Sequence, residues 1–272
     1  MVGPAGDVVY PAHSLFSCGL LPVKSSYDWP AAAEPPALEL GEIHLWRVKV
    51  PDEGNVPTDW LGFLTAEERD RVARKRIPVD ARRTLTSRAC LRLLLGMYVG
   101  RSPEQIALEA TPEGKPILRG QGEPDRIEFN VSHSAEWVML GFSRGPALGL
   151  DVECHRELEF DDLVTGFFSP IERKAWASLP LTNRCEAFFA AWTRKEAYLK
   201  ALGVGLAKSL DSFSVSLGAG SSGKLVWCAD HPRAPQTWHF VSIDPAPGYA
   251  GALALDYSSK TLRTFSFHAP GG

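Results

Sequence analysis

The chain has 272 residues, 44% hydrophobic and 22% charged, with a formal charge of −3. That length and apolar content suit one large or two small globular domains, and the near-neutral balance gives no reason to expect a nucleic-acid partner. No apolar run approaches membrane-spanning length, and no Lys or Arg precedes Lys24, so neither a membrane anchor nor a secretion signal is expected.

The five cysteines (Cys18, Cys90, Cys154, Cys185, Cys228) are odd in number, widely spaced and free of C-x-x-C. They read as reduced, mostly buried thiols of a cytoplasmic protein. Residues 1–41 are rich in Pro, Ala and Gly and read as an extension packed on a domain surface; Leu15 to Val23 is apolar but broken by Ser17, Gly19 and Pro22. Glu42 to Val50 alternates strongly. Ile43, Leu45, Arg47 and Lys49 share a face and cannot all be core, so a partly exposed strand is expected.

Thr65-Ala66-Glu67-Glu68 is a capping box. It opens a helix that carries Arg69, Arg71, Arg74, Lys75 and Arg76 and stops before Pro78. A second helix is predicted from Asp80 to Leu95, ended by Gly96, with Arg82, Arg83, Arg88 and Arg92 along it. In a net-negative chain this basic pair is either a solvated face or a local site that steers an acidic ligand.

Glu113-Gly114-Lys115-Pro116 is a turn with a lysine at its centre. Ile127 to Val131 reads as a strand, followed by Ser132-His133-Ser134, and Trp137 to Phe142 as the next strand. In Ala147 to Cys154, Leu148, Leu150, Val152 and Cys154 fall on a core face, while Ala147, Gly149, Asp151 and Glu153 share the other. Two readings stand for this segment. One is a strand end reaching solvent. The other is an all-oxygen site for a divalent cation, with space left by the small residues. Cys154-His155 has no second Cys/His pair at zinc-ligand spacing.

Ser169 to Glu172 is a second capping box. Phe188 to Leu202 reads as a helix stopped by Gly203. Phe188, Trp192, Lys195 and Leu199 form one face, with Glu196 and Lys200 on the adjoining stripe beside Phe189. A lone Glu–Lys pair at this spacing is an ordinary surface feature. Lys195, a second lysine inside the apolar stripe, and the acidic strand speak for a functional one. From Asp211 onward, strands broken by Gly and Pro loops are expected.

A repeat runs through the chain. Phe63 to Arg69 matches Phe167 to Arg173, and each is followed by a helix predicted to end in Leu-Gly, at Leu95-Gly96 and Leu202-Gly203. The match is short enough to arise by coincidence. Taken as a repeat, it predicts an α/β (α+β) fold of two similar lobes related by a pseudo-twofold. Each lobe would have a small antiparallel sheet on a long helix, with a ligand cleft between them. The lobes would span 42–146 and 147–272.

The ordered set of Gly114-Lys115-Pro116, Asn130-Val131-Ser132-His133-Ser134, Gly149-Leu150-Asp151-Val152-Glu153, Phe167-Phe168-Ser169 and Trp192-Thr193-Arg194-Lys195-Glu196-Ala197-Tyr198-Leu199-Lys200 resembles the 4'-phosphopantetheinyl transferases of the long, two-lobed, surfactin-synthetase-activating type. The resemblance covers residues 42 to 257. It implies an Mg2+-dependent enzyme, with Mn2+ as an alternative ion. Such an enzyme moves the phosphopantetheine arm of coenzyme A onto a serine of acyl, peptidyl or aryl carrier proteins and releases adenosine 3',5'-bisphosphate, activating polyketide, nonribosomal peptide or fatty acid synthases. It also implies a cytoplasmic monomer.

By position, Asp151, Glu153 and Glu196 are the implied metal ligands, and Glu196 is also the implied base. Lys200 would contact the phosphates and protonate the leaving group. Lys115, Pro116, Ser132 and His133 would hold the nucleotide end, with Arg71, Arg83 and Thr84 reaching its 3'-phosphate. Glu68 departs from the pattern where some relatives carry a phosphate-binding lysine, and Arg69 or Arg71 would substitute. Two other readings use the same residues: a different Mg2+-dependent enzyme acting on a nucleotide, and a coenzyme A or carrier-protein binding module without turnover.

Overall fold

A computed structural model of the chain describes residues 28–122, 126–145, 147–218, 223–256 and 261–268. Most of the N-terminal extension, including Leu15 to Val23 and Cys18, lies outside them.

After a two-residue strand, β1 (Ala31–Ala32), the alternating segment forms β2 (Glu42–Lys49). The strand is partly exposed, as expected, with Arg47 half-buried and Lys49 exposed at its end, while Ile43 to Trp46 are buried on both faces. Ile43 and Leu45 are fully buried against a second sheet, while Trp46 and Val48 face the first helical layer. Only its end meets solvent. There the Arg47 guanidinium lies between the rings of Trp29 and Trp137, 5.1 and 4.9 Å from their centroids, and donates to the Pro245 carbonyl.

A short helix, α1 (Trp60–Phe63), precedes α2 (Ala66–Ala73), whose Thr65–Glu68 capping box forms as the spacing predicts. The next helix, α3 (Pro78–Val99), is longer than predicted at both ends. Pro78 sits in its first turn, where a missing N–H costs nothing. Gly96 is not the stop. A Cβ there would lie 2.5 Å from the Arg101 carbonyl oxygen, so this glycine admits the returning chain, and the helix ends at Gly100 in the left-handed region.

Two short strands, β3 (Leu108–Ala110) and β4 (Pro116–Leu118), pair with each other and frame the Gly114 turn. They are followed by the hairpin of β5 (Ile127–Ser134) and β6 (Trp137–Arg144), so Ser132, His133 and Ser134 belong to the strand rather than follow it.

The second half begins with β7 (Leu148–Cys154), then α4 (Phe160–Phe167), α5 (Pro170–Ala177) and α6 (Arg184–Leu202). Gly203 closes α6 in the left-handed region, as predicted. A hairpin of β8 (Phe213–Val215) and β9 (Leu225–Cys228), a short α7 (Ala234–Thr237), and β10 (His239–Ile243), β11 (Tyr249–Leu255) and β12 (Thr261–Phe267) complete the described chain.

The larger sheets have the orders β1-β12-β2-β6-β5 and β10-β11-β7. The second is antiparallel as expected. The first is mixed, because β12 returns from the second half and lies parallel to both β1 and β2, a pairing that needs a long connection. Its Phe265 stacks on Trp46 at 4.4 Å between ring centroids.

Three apolar clusters fix the layer order. One joins α3 to the first sheet, one joins the two sheets through Ile43, Leu45, Leu148 and Leu150, and one joins the second sheet to α6. The molecule is therefore a mixed α/β fold of two small sheets between long helices. Both halves use the same internal device. The capping-box glutamate turns inward and pairs with a cation on the long helix: Glu68 with Arg92 and Glu172 with Lys195, each at 2.8 Å. Among the described residues, no helix is long and apolar enough to cross a membrane, and the four described cysteines are free thiols.

Candidate active site

Two edge strands from different sheets, β5 and β7, run side by side. Side chains join them in place of a backbone ladder. Asn130 Oδ1 accepts from Leu150 N (3.1 Å), Ser132 Oγ from Val152 N (3.3 Å) and Ser134 Oγ from Cys154 N (3.0 Å). On its other side β7 lies against α6. A Cβ at Gly149 would sit 1.9 Å from the Ala197 carbonyl oxygen and 2.3 Å from the Ala201 nitrogen, so only glycine allows this approach.

The contact at Gly149 brings the acidic side of β7 onto the functional stripe of α6. Lys200 Nζ donates to Asp151 Oδ1 at 2.6 Å and to Ser132 Oγ at 3.0 Å. Asp151 Oδ1 also accepts from Ser132 Oγ, while Asp151 Oδ2 is buried with no hydrogen-bond partner among the described residues. Glu153 Oε2 accepts from Ser134 and from Arg156. Burial, then the nearby charge of Asp151 and more weakly Glu153, pushes the Glu196 carboxyl above its usual range; Lys200 opposes this.

These are hard oxygen donors, one of them an orphaned buried oxygen, and they fit a small divalent cation. Among the described residues, no three His, Cys, Asp or Glu side chains are drawn together at cation-binding distance. A cation here would complete its shell with ligand phosphate oxygens and water, as Mg2+ commonly does.

From Lys200 the cleft continues along β5 as two adjoining cavities that share Ser87, Arg88 and His133. The nearer, about 310 Å3, is walled by Lys115, Pro116, Asn130, Leu199, Lys200 and Gly203. The farther, about 400 Å3, collects Arg71, Arg74, Lys75, Arg88 and His133 around Thr84 and Ser87. Its one carboxylate, Glu68, is already engaged by Arg92. Burial lowers the Arg88 pKa, with Arg71 and Arg92 adding to the effect against Glu68. Desolvation, together with Arg83, Lys200 and Lys75, lowers that of His133. Arg71 also pairs with Glu67 on the solvent side, and the remaining crowd of cations suits an anion.

The structure thus brings Arg71, Thr84, Lys115, Pro116, His133 and Lys200 to the cleft walls. Arg83 is not on them; its guanidinium donates to the Ala135 carbonyl and to Asp80. Ser132 lies behind the wall, between Asp151, Lys200 and Val152. Lys115 is held 3.4 Å from Glu128, which also pairs with Arg126. Arg71 rather than Arg69 faces the cavity where Glu68 departs from the family pattern, since Arg69 donates to the Leu64 carbonyl at the end of α1. Arg74, Lys75 and Arg88 were read from the sequence only as members of the basic helix pair, without individual roles, and Ser87 was not noted. Arg88 follows Thr84 by four positions on α3, and that helical spacing was the signal available for it.

Residues 147–254 match the family model described as the 4'-phosphopantetheinyl transferase superfamily, and residues 57–144 match that of the 4'-phosphopantetheinyl transferase N-terminal region. The 4'-phosphopantetheinyl transferase HetI of Nostoc sp. is 32% identical over 225 residues, which span 82% of this chain and 92% of HetI. The 4'-phosphopantetheinyl transferase Sfp of Bacillus subtilis is 30% identical over 158 residues, 58% of this chain and 68% of Sfp.

Proposed function

The chain belongs to the 4'-phosphopantetheinyl transferase superfamily, and from that premise we propose that it transfers the phosphopantetheine arm of coenzyme A to a serine of carrier proteins, with Asp151, Glu153, Glu196 and Lys200 as the reacting end of the cleft. The observation that carries the assignment is the junction of β7 and α6. There Lys200 pairs with Asp151, Glu153 shares the strand face of Asp151, and the Glu196 carboxyl on α6 is close enough to feel the charge of all three, at the end of a cavity lined with cations.

The arginine-rich cavity suits the 3'-phosphate of coenzyme A, with Arg71, Arg74, Lys75, Arg88 and His133 supplying charge and Thr84 a hydroxyl. Lys115 and Lys200 border the adjoining cavity, where the pyrophosphate would lie. Asp151, Glu153 and Glu196 would hold Mg2+, or Mn2+ in its place. The ion would neutralise charge on the pyrophosphate and orient its oxygens.

Glu196, one turn before Lys200 on α6, takes the proton of the carrier serine hydroxyl. The serine oxygen forms its bond to the phosphorus that carries the pantetheine arm. The bond from that phosphorus to adenosine 3',5'-bisphosphate breaks. Lys200 stabilises the charge that develops on the leaving phosphate and supplies a proton to it. Acyl, peptidyl or aryl carrier domains of fatty acid, polyketide and nonribosomal peptide synthases are the acceptors proposed.

The test is mass spectrometry of an apo carrier protein after incubation with the chain, coenzyme A and Mg2+. A covalent adduct of the arm on the serine, with release of adenosine 3',5'-bisphosphate, is expected. Cleavage of coenzyme A without an adduct would assign the site to hydrolysis instead. Binding without either product would leave a binding module.

A further inference from the structure

Asn130, Ser132 and Ser134 face β7 at two-residue intervals, and each accepts one of its N–H groups. The two serines do more than the asparagine. A hydroxyl has one proton beside its two lone pairs, and each serine gives that proton to the carboxylate next along β7. Ser132 donates to Asp151 Oδ1 at 2.8 Å, and Ser134 donates to Glu153 Oε2 at 2.9 Å. The Cys154 N–H therefore fixes where the Ser134 oxygen sits, and the proton is aimed at Glu153.

We infer that Ser134 is a positioning residue for Glu153, closing the seam between the two sheets and holding the carboxylate toward the cation site with the same hydroxyl. This rests on the reading of Asp151, Glu153 and Glu196 as cation ligands. The other partner of Glu153 is Arg156, whose side chain is 55% exposed and 3.3 Å from the same Oε2. An exposed pair of that kind holds little, and alone it would draw the carboxylate outward. Both bonds end on Oε2, which leaves Oε1 for a cation. Ser134 is 8% exposed and lines neither cavity of the cleft, so its replacement leaves the cavity walls that would hold the bisphosphate untouched. Ser132 is a poorer probe, because it also receives Lys200.

The experiment compares the unaltered full chain with Ser134→Ala, Ser134→Thr and Ser134→Cys. Mn2+ affinity in the presence of coenzyme A is read by electron paramagnetic resonance. Affinity for adenosine 3',5'-bisphosphate is read by calorimetry in metal-free buffer. Loss of an outer-shell partner of this kind costs about 10-fold or more in metal affinity. Ser134→Ala is expected to show that loss in Mn2+ binding, with bisphosphate affinity unchanged within about 2-fold. Ser134→Thr, which keeps the hydroxyl, should restore Mn2+ binding.

Unchanged Mn2+ affinity in Ser134→Ala would overturn the inference. So would an equal weakening of both ligands, which would make Ser134 part of the packing alone. If the alanine variant does not fold, the threonine and cysteine variants decide. The thiol is a weak donor, so equal Mn2+ affinity in these two overturns the inference, and weaker binding by the cysteine variant upholds it. Failure of the unaltered chain to bind Mn2+ with coenzyme A would remove the cation reading itself, and this inference with it.

Discussion

Lys195 and Lys200 lie five positions apart on α6 and have opposite surroundings. Lys195 is fully buried, paired with Glu172, donates to the carbonyls of Leu210 and Phe213, and lies over the Phe213 ring. Lys200 reaches the cleft and Asp151. A lysine in an apolar stripe was visible in the sequence and was read there as support for a functional helix. Its partner is the glutamate of a capping box on another helix, and nothing in the local pattern connects the two. Removing one member of a buried pair strands the other charge, at a cost of about 3–5 kcal/mol. Lys195→Met is therefore expected to lower unfolding stability by that amount in urea denaturation, with coenzyme A affinity of the folded protein unchanged. A stability loss below about 1 kcal/mol would show that the pair does not hold α5 against α6. Strand and helix periods placed Asp151 with Glu153, and Glu196 with Lys200, on shared faces, but left open whether those faces were functional; the roles assigned to them came from the family resemblance. Arg88 and Lys75 were visible only as members of a basic run, because the chain's path over them depends on where β5 lies.

Among the elements, the capping boxes, the hairpin and the end of α6 followed from sequence because their chemistry is local. Glycine within a helix was ambiguous. Gly203 ends α6 as predicted, whereas Gly96 makes room for a neighbouring backbone, and the sequence carries no mark that separates a stop from a close approach. The same need for space governs Gly149, where β7 meets α6. Adding a methyl there forces the strand and helix apart, with an overpacking cost of about 1–3 kcal/mol or more. Gly149→Ala is expected to lower both the unfolding midpoint and the cation affinity, since it displaces Asp151 from Lys200. At Gly166, inside α4, an added Cβ meets nothing within 4 Å, so Gly166→Ala is the control: it should leave the cation affinity unchanged and should not lower the unfolding midpoint. Wild-type stability in Gly149→Ala would mean that the packing of β7 on α6 is looser than these distances require.

At the scale of the whole molecule, the strong alternation of β2 specified which side chains share a face but not what covers each face. On the face of Ile43 and Leu45 the cover is the second sheet, and only the end of that face, at Arg47 and Lys49, meets solvent. The return of β12 to the first sheet was likewise invisible, because alternation identifies a strand and leaves its neighbours open. That return has a consequence for folding. Phe265 and Phe267 bury themselves against Trp46, so a chain ending at Asp256 is expected to lose its cooperative urea transition. A full-length midpoint in the truncated chain would show β12 to be dispensable. The central claim is that arm transfer takes place where β7 meets α6, with Glu196 as both base and cation ligand and Asp151 as a ligand alone. The most direct test is the rate of carrier modification against Mg2+ concentration for Glu196→Gln and Asp151→Ala. The account expects no turnover from Glu196→Gln even at saturating Mg2+, with much of its coenzyme A binding retained, and at least partial recovery of Asp151→Ala as Mg2+ rises. Near-normal turnover by Glu196→Gln at high Mg2+ would contradict it.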